Sequence, residues 1–134
     1  MELSNIPEID AEHEYLHVAF KALIAKEGTQ YDPAELQKEI DQLLAYLEVH
    51  FMTEENIMFN VDYFDYVGHQ KTHTDLLYLI KQVYKTLPRN SEQIFHMLSL
   101  VYTWVSNHID IESSLFRKLI STDLKFKSRR TVKY

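Results

Sequence analysis

The sequence contains no cysteine, only two glycines and only three prolines. The lack of cysteine excludes disulfide scaffolds, thiolate metal sites, iron–sulfur clusters and thiol nucleophiles, and it fits a reducing compartment. The scarcity of glycine and proline argues against an all-β domain, because such a domain needs more turn residues than this chain has. These absences favour a helical protein.

Several functional signals are also missing. No apolar run approaches the roughly 20 residues of a membrane span, and the start MELSNIPEID lacks a signal-peptide pattern. The net charge of −6 argues against general nucleic-acid binding. Motifs for phosphate loops, dinucleotide binding and serine nucleophiles are absent. We expect a cytoplasmic monomer with no nucleic-acid or membrane partner.

A chain of 134 residues suits one domain with a sizeable core. We assign residues 1–124 to this domain. The last ten residues, 125-KFKSRRTVKY-134, are locally basic and are predicted to form a solvated terminal tail. A docking tail is the less favoured alternative.

Apolar residues at helical intervals predict four amphipathic helices. The first is expected to begin with Asp10 as its N-cap, and the second with Asp32. Pro88 would end the third helix, and Asn90 or Ser91 would cap the fourth. Four such helices with short connections predict an all-α fold, an up-down-up-down antiparallel four-helix bundle.

Seven polar residues interrupt the apolar seams of these helices: His13, His50, Glu54, His69, His73, His108 and Glu112. In an antiparallel bundle the starts of the first and third helices lie beside the ends of the second and fourth, so all seven should converge near one end of the core. An unsatisfied buried polar group costs roughly 1–3 kcal/mol, and an unpaired carboxylate costs more. Metal ions would bind such a set, because imidazole with carboxylate suits iron, manganese or zinc. Five imidazoles with bridging carboxylates are enough for two ions.

Each of these residues alone has a simpler interpretation. A single histidine on an apolar face, such as His50, is more often a hydrogen-bonded core residue than a metal ligand. Residues at i and i+4 do point the same way from one helix, so that a pair offers two donor groups. The convergence of the whole set is what favours a metal centre.

Four segments resemble the hemerythrin family in its single-domain bacterial form: 9-IDAEHEYL-16, 46-YLEVHFMTEENIM-58, 69-HQKTH-73 and 104-WVSNHI-109. They follow the order and spacing of that family over nearly the whole chain. The resemblance implies a non-haem di-iron centre, oxo- or hydroxo-bridged, with O2 as its ligand. It also implies hemerythrin-like helix packing.

The resemblance implies a role for each matched residue. One iron would be bound by three histidines, His69, His73 and His108. The second would be bound by His13 and His50, which would leave a coordination position open for O2. Glu54 would bridge the two irons. Four residues would line an apolar oxygen pocket: Leu16, Trp104, Val105 and Ile109. Such a pocket excludes water and slows the loss of a reactive adduct, although ordinary core packing would bury the same residues.

One position departs from the family pattern. The bridging aspartate, five residues after the last histidine, is replaced by Ser113. A neutral hydroxyl is a poor bridge, and the loss of one negative charge would favour the reduced state. Glu112 is the natural substitute, because it lies on the seam one turn after His108, whereas Asp110 should face away. Otherwise the bridge is missing, and the site holds water, binds one metal weakly or is degenerate.

His17 lies one turn after His13. It could be an extra ligand or an outer donor to a bound oxygen species, but we expect a boundary histidine with one edge in water. His96 is expected at the surface.

Three functions fit such a centre. The first is O2 binding for storage, delivery or sensing. The second is an enzyme acting on peroxide, nitric oxide or O2, and the third is a regulatory module that responds to metal or oxygen. We expect an O2-binding protein rather than an enzyme.

Overall fold

Four α-helices build the described part of the chain, which comprises residues 3–86 and 90–133 of a computed structural model, with side chains described as far as residue 121. The helices are α1 (Pro7–Ile24), α2 (Pro33–Asn60), α3 (Tyr66–Thr86) and α4 (Ser91–Lys133). α1 packs against α2 and α4, and α3 packs against the same two helices. Each helix therefore has two neighbours, as in a four-helix bundle.

Contacts at both ends of a helix pair establish its direction. At one end His13 of α1 meets Glu54, late in α2. At the other end Lys26, just after α1, pairs with Glu39, early in α2, at 3.0 Å. α1 and α2 are therefore antiparallel, and the predicted up-down-up-down bundle is confirmed.

Capping residues fix the starts of α2 and α4. Asp32 precedes α2 as predicted, and its carboxylate accepts a hydrogen bond from the Ala34 amide at 3.0 Å. Asn90 precedes α4, and its side-chain oxygen accepts from the Gln93 amide at 2.9 Å. Asn90, rather than Ser91, is therefore the cap of the fourth helix.

The predicted start of the first helix is wrong. α1 begins at Pro7, and Asp10 lies within its first turn. Proline at the first helical position fixes φ near the helical value, so it starts the helix without a side-chain cap. The Asp10 carboxylate instead accepts from the amide and hydroxyl of Ser4, at 2.7 and 2.8 Å. Asp10 thus anchors the segment that leads into α1.

The apolar core consists of two clusters. The main cluster fills most of the bundle and includes Phe20, Leu47 and Val101. A small cluster near one end contains four buried residues: Ile6, Ile9, Met58 and Phe116. Its members on α1, α2 and α4 stand one helical turn beyond His13, Glu54 and Glu112. The predicted polar residues therefore form a layer between the two clusters.

α4 is much longer than the other helices. Its 43 residues would span about 65 Å at 1.5 Å per residue, and its backbone remains helical through the predicted tail as far as Lys133. The division of the chain at residue 124 stays a prediction, because the tail side chains lie outside the described residues, as does Pro88. Within the described ranges, no helix combines the length and apolarity that a bilayer crossing requires.

Candidate metal centre

The seven predicted residues form two adjoining groups of donor atoms. We call His69, His73, His108 and Glu112 the rim group, because the side chains of His69 and His108 are 16% and 12% exposed. We call His13 and His50 the inner group, because both side chains are fully buried. Glu54 lies between the two groups and is itself buried. The structure thus brings together all seven residues that the seams predicted.

Glu54 contacts both groups through different oxygen atoms. Its Oε2 atom lies 3.3 Å from Nε2 of His13 and 3.3 Å from Nε2 of His50. Its Oε1 atom lies 3.4 Å from Nε2 of His73. One oxygen therefore faces each group, which is the arrangement that a carboxylate needs in order to bridge two cations.

Glu112 lies within the rim group. Its Oε1 atom is 3.2 Å from Nε2 of His69 and 2.5 Å from Nε2 of His73, and it also contacts Nε2 of His108. Asp110 is exposed, as expected of a residue that faces away. Of the possibilities that the sequence left open, the geometry favours Glu112 as the acidic group of α4.

Ser113 is buried beside the inner group. Its hydroxyl oxygen lies 3.5 Å from Nδ1 of His13, whereas Glu54 faces Nε2 of the same ring. The serine therefore stands behind the histidine, on the side away from Glu54. It supplies no charge there, and among the described residues only Glu54 presents a carboxylate oxygen to the Nε2 atoms of the inner group.

Two further carboxylates bind the outer nitrogens of site histidines. Glu12 Oε1 lies 2.7 Å from Nδ1 of His50, and Glu55 Oε2 lies 2.8 Å from Nδ1 of His73. Thr53 donates to the other oxygen of Glu12 at 3.3 Å. Because an ionised carboxylate only accepts, each Nδ1 donates its proton to a glutamate, so that Nε2 is the atom left to bind a cation when one is present. The sequence analysis did not identify either residue. The only sequence feature that could have indicated them is their position, since Glu12 directly precedes His13 and Glu55 directly follows Glu54.

The two groups differ in their electrostatics. Burial and, to a smaller extent, the nearby His50 lower the pKa of His13 to about 4. Burial and the negative charge of Glu112 raise the pKa of Glu54 well above its ordinary value. Burial would also raise the pKa of Glu112, but the imidazoles of His108, His69 and His73, in contact with its carboxylate, hold it well below the ordinary range. Without metal, the rim group therefore keeps a charged carboxylate, while the inner group favours neutral side chains.

Several nitrogen and oxygen atoms in this layer that could bind a metal ion have no hydrogen-bond partner among the described residues. They are Nε2 of His50 and His108, Oε1 of Glu54 and Oε2 of Glu112, all buried. Each such atom costs about 1–3 kcal/mol if nothing satisfies it. Imidazole nitrogen and carboxylate oxygen are ligands of iron, manganese and zinc. The residues present therefore fit a metal centre.

The residues predicted to line an apolar pocket belong to the main cluster. Leu16, Val105 and Ile109 are buried within it, and Trp104 is half-buried and packs against it. They lie on the side of the polar layer that faces the bulk of the bundle. The oxygen pocket itself stays a prediction.

His17 belongs to neither group. It is half-buried, and its Nδ1 atom lies 2.8 Å from the hydroxyl of Tyr102. The half-burial fits a boundary position, but the Nε2 atom is buried without a hydrogen-bond partner among the described residues, so the expected wet edge stays a prediction. His96 is exposed, as expected.

Comparisons with known proteins match a segment of the chain that contains all seven site residues. A family model described as the hemerythrin HHE cation binding domain matches residues 4–120. A bacteriohemerythrin of Aquifex aeolicus (strain VF5) is 30% identical over 81 residues, which cover 58% of this chain and 62% of that protein. The match therefore spans less than two thirds of this relative. No solved structure matches the chain.

Proposed function

Because the chain belongs to the hemerythrin HHE cation binding domain family, we propose that the polar layer holds two iron ions and binds O2. The observation that carries the proposal is the position of Glu54, which directs one oxygen towards each group of imidazoles. Burial of a carboxylate costs free energy. A glutamate that only filled the core would not recover this cost, whereas one that binds two cations would.

The proposed ligands divide unequally between the two ions. The rim ion would be held by three imidazoles, by Glu112 and by one oxygen of Glu54. The inner ion would be held by His13, His50 and the other oxygen of Glu54. Fewer protein donors at the inner ion leave more positions for a small ligand, so we place O2 binding there.

Charge balance supports two divalent ions. Glu54 and Glu112 lie inside the layer, and Glu12 and Glu55 bind its outer nitrogens. When all four are ionised and the histidines are neutral, two divalent cations neutralise them. One divalent cation would leave two negative charges in a largely buried site, which is unfavourable. Glu112 also supplies the charge that the serine at position 113 lacks.

The chain's own groups would control the surroundings of the ligand. When bound, the iron pair supplies the redox chemistry and the open coordination position for O2. Leu16, Val105 and Ile109 would exclude water from the side of the main cluster. Glu12 would hold the His50 ring in the orientation that presents Nε2 to the inner ion.

Metal content and oxygen response test this proposal. Protein purified without chelators, reconstituted anaerobically with iron(II), should contain two irons per chain. Exposure to O2 should then give an absorption change that reverses when O2 is removed. Two irons that oxidise without a reversible adduct would contradict O2 binding.

An enzyme acting on peroxide is a second candidate. The small number of protein donors at the inner group favours it, because an open site can accept a substrate as well as O2. Peroxide consumption faster than that of the same concentration of free iron would support the enzyme. An equal rate would leave O2 binding as the better function.

A further inference from the structure

The histidines of the centre differ in their access to solvent. The side chains of His69 and His108 are 16% and 12% exposed, whereas those of His13 and His50 are fully covered. His73, which lies nearest to Glu54 in the rim group, is only 1% exposed. Of the site histidines, those that can first meet an ion from solution therefore lie on α3 and α4.

The helix packing points to the same side. Among the described helices, the backbones of α3 and α4 approach each other closely at the fewest places, and those of α1 and α2 at the most. His69 and His108 stand on the two sides of the α3–α4 seam. The apolar clusters cover the polar layer along the bundle axis, so they close those two directions of approach.

The α1–α2 side has a partly exposed carboxylate, Glu12, but the buried imidazole of His50 lies between it and Glu54. Glu12 is 23% exposed, yet it contacts the outer nitrogen of His50 and not the atom that faces Glu54. An ion arriving there would have to displace the whole His50 ring, which Glu12 holds through Nδ1 while Thr53 donates to Glu12. Passage on this side therefore requires repacking.

Donor atoms continue without a gap from the rim to the interior. Glu112 contacts His69, His108 and His73. His73 also contacts Oε1 of Glu54, and Oε2 of Glu54 contacts His13 and His50. Each neighbouring pair lies within ion-pair distance, so an ion can exchange one ligand at a time along the row.

We propose that metal enters and leaves through the α3–α4 seam at His69 and His108, and that the inner group exchanges its ion only by way of the rim group. This inference rests on the proposed function, since it requires that both groups hold metal. It makes His69 and His108 the residues that control the rate of loading, in addition to their role as ligands.

Isotope exchange tests the order. Protein fully loaded with natural iron(II) is mixed anaerobically with excess iron-57(II), frozen at intervals and examined by Mössbauer spectroscopy. The rim signal is assigned with the double variant His13→Gln/His50→Gln, in which only the rim group should retain iron. Label should appear first in the rim signal and in the inner signal only after a lag. Simultaneous labelling, or inner labelling first, would overturn the route.

A pair of variants distinguishes the two sides of the bundle. His69→Gln should slow the labelling of the inner ion, because it removes the first ligand on the proposed route, although His69 does not touch the inner group. Tyr15→Ala, which removes a ring of α1 that packs on Tyr46 of α2, opens the opposite side and should leave the lag before inner labelling unchanged. The reverse result would place the route at the α1–α2 side. Circular dichroism establishes that each variant retains its helices.

The outcomes separate this inference from the proposed function. Fewer than two irons in the saturated wild-type protein would reject both. Two irons with the wrong order of labelling would reject only the route.

Discussion

The rim and inner groups use the same imidazole chemistry in different electrostatic settings. The rim group contains Glu112, whose pKa its three histidines hold low, while the inner group shares Glu54, whose pKa burial and the charge of Glu112 raise. Both α2 and α4 carry histidine and glutamate four residues apart, at His50–Glu54 and His108–Glu112. The same spacing thus gives two sites with different electrostatics. The difference arises from the residues that neighbouring helices contribute and from the neutral residue at position 113.

Glu54→Gln should have the largest effect on the centre. Glutamine keeps the size of the side chain but lacks the negative charge that both ions would share, so iron content should fall to one ion or fewer. The metal-free variant should be no less stable than wild type, because its buried group is neutral. Elemental analysis and denaturation in chelator measure the two effects. Retention of both ions would exclude Glu54 as a bridge.

Ser113→Asp should make the two groups more alike. A carboxylate behind His13 gives the inner group a charge of its own, so the inner ion should bind more tightly. The metal-free protein should lose about 3–5 kcal/mol of stability, since the new buried charge is uncompensated without metal. Ser113→Asn, of similar size but neutral, is the matched control. Equal stabilities of the two metal-free variants would contradict the expected charge effect.

Acid should destabilise the metal-free protein through the inner group. The pKa of His13 is about 4 in the folded chain, against an ordinary value of 6.5 for an exposed histidine, so the unfolded chain binds the proton first as pH falls. Stability is full above pH 6.5 and decreases towards pH 4, by about 3 kcal/mol from His13 alone.

In the rim group, His73 changes the stability of the metal-free protein with pH in the opposite direction to His13. Burial would lower the pKa of His73, but hydrogen bonding to Glu112 and Glu55 raises it overall. Its contribution to stability is therefore present at low pH and is lost as pH rises through the folded pKa. Denaturant titrations between pH 7 and 4.5 should show a shallower acid dependence for His13→Gln than for wild type. An unchanged dependence would mean that His13 is not the source.

Glu12→Gln and Glu55→Gln form a pair that separates the groups by affinity. Loss of a carboxylate from the outer nitrogen of a ligand histidine typically reduces metal affinity about 10–100-fold. Glu12→Gln should weaken the inner ion, through His50, and Glu55→Gln should weaken the rim ion, through His73. Competition with a chelator of known affinity, read by Mössbauer spectroscopy, would show which ion is lost first. Equal losses from both groups would indicate a general charge effect.

Asp32→Ala should have the smallest effect on the centre. It removes the cap of α2 at the end of that helix distant from Glu54, and the loss of such a cap costs about 0.5–2 kcal/mol. Thermal denaturation should detect this loss, while iron content should not change. A reduced iron content would show that the centre depends on the stability of the whole bundle.

The sequence predicted the height of the site residues along the bundle and that they face the core. It did not predict which residues of adjacent helices contact them. Helical spacing places His13, His50 and Glu54 on core-facing seams, and the antiparallel order places them at one height. Glu12 and Glu55 lie off these seams, so their contacts depend on how neighbouring helices are rotated about their axes. That rotation follows from packing across the whole core, which spacing along a single helix does not contain.

Local signals were also ambiguous where two of them competed. Pro7 and Asp10 are both signals of a helix start, and the structure resolves them because Asp10 is engaged by Ser4. Glu112 and Ser113 are adjacent, and the sequence could not decide whether the glutamate serves the site. The rotation of α4 and the length of the glutamate side chain bring Oε1 among three imidazoles.

The polar layer between the two apolar clusters has a consequence for cooperativity. Ile9, Met58 and Phe116 pack beyond the layer, one turn away from groups that are poorly satisfied without metal. We expect the amide protons around this small cluster to exchange by local opening in the metal-free protein, independently of the main core. Bound ions would connect the two clusters through shared ligands, so that amide protection on both sides of the layer approaches the same value and the bundle unfolds as one unit.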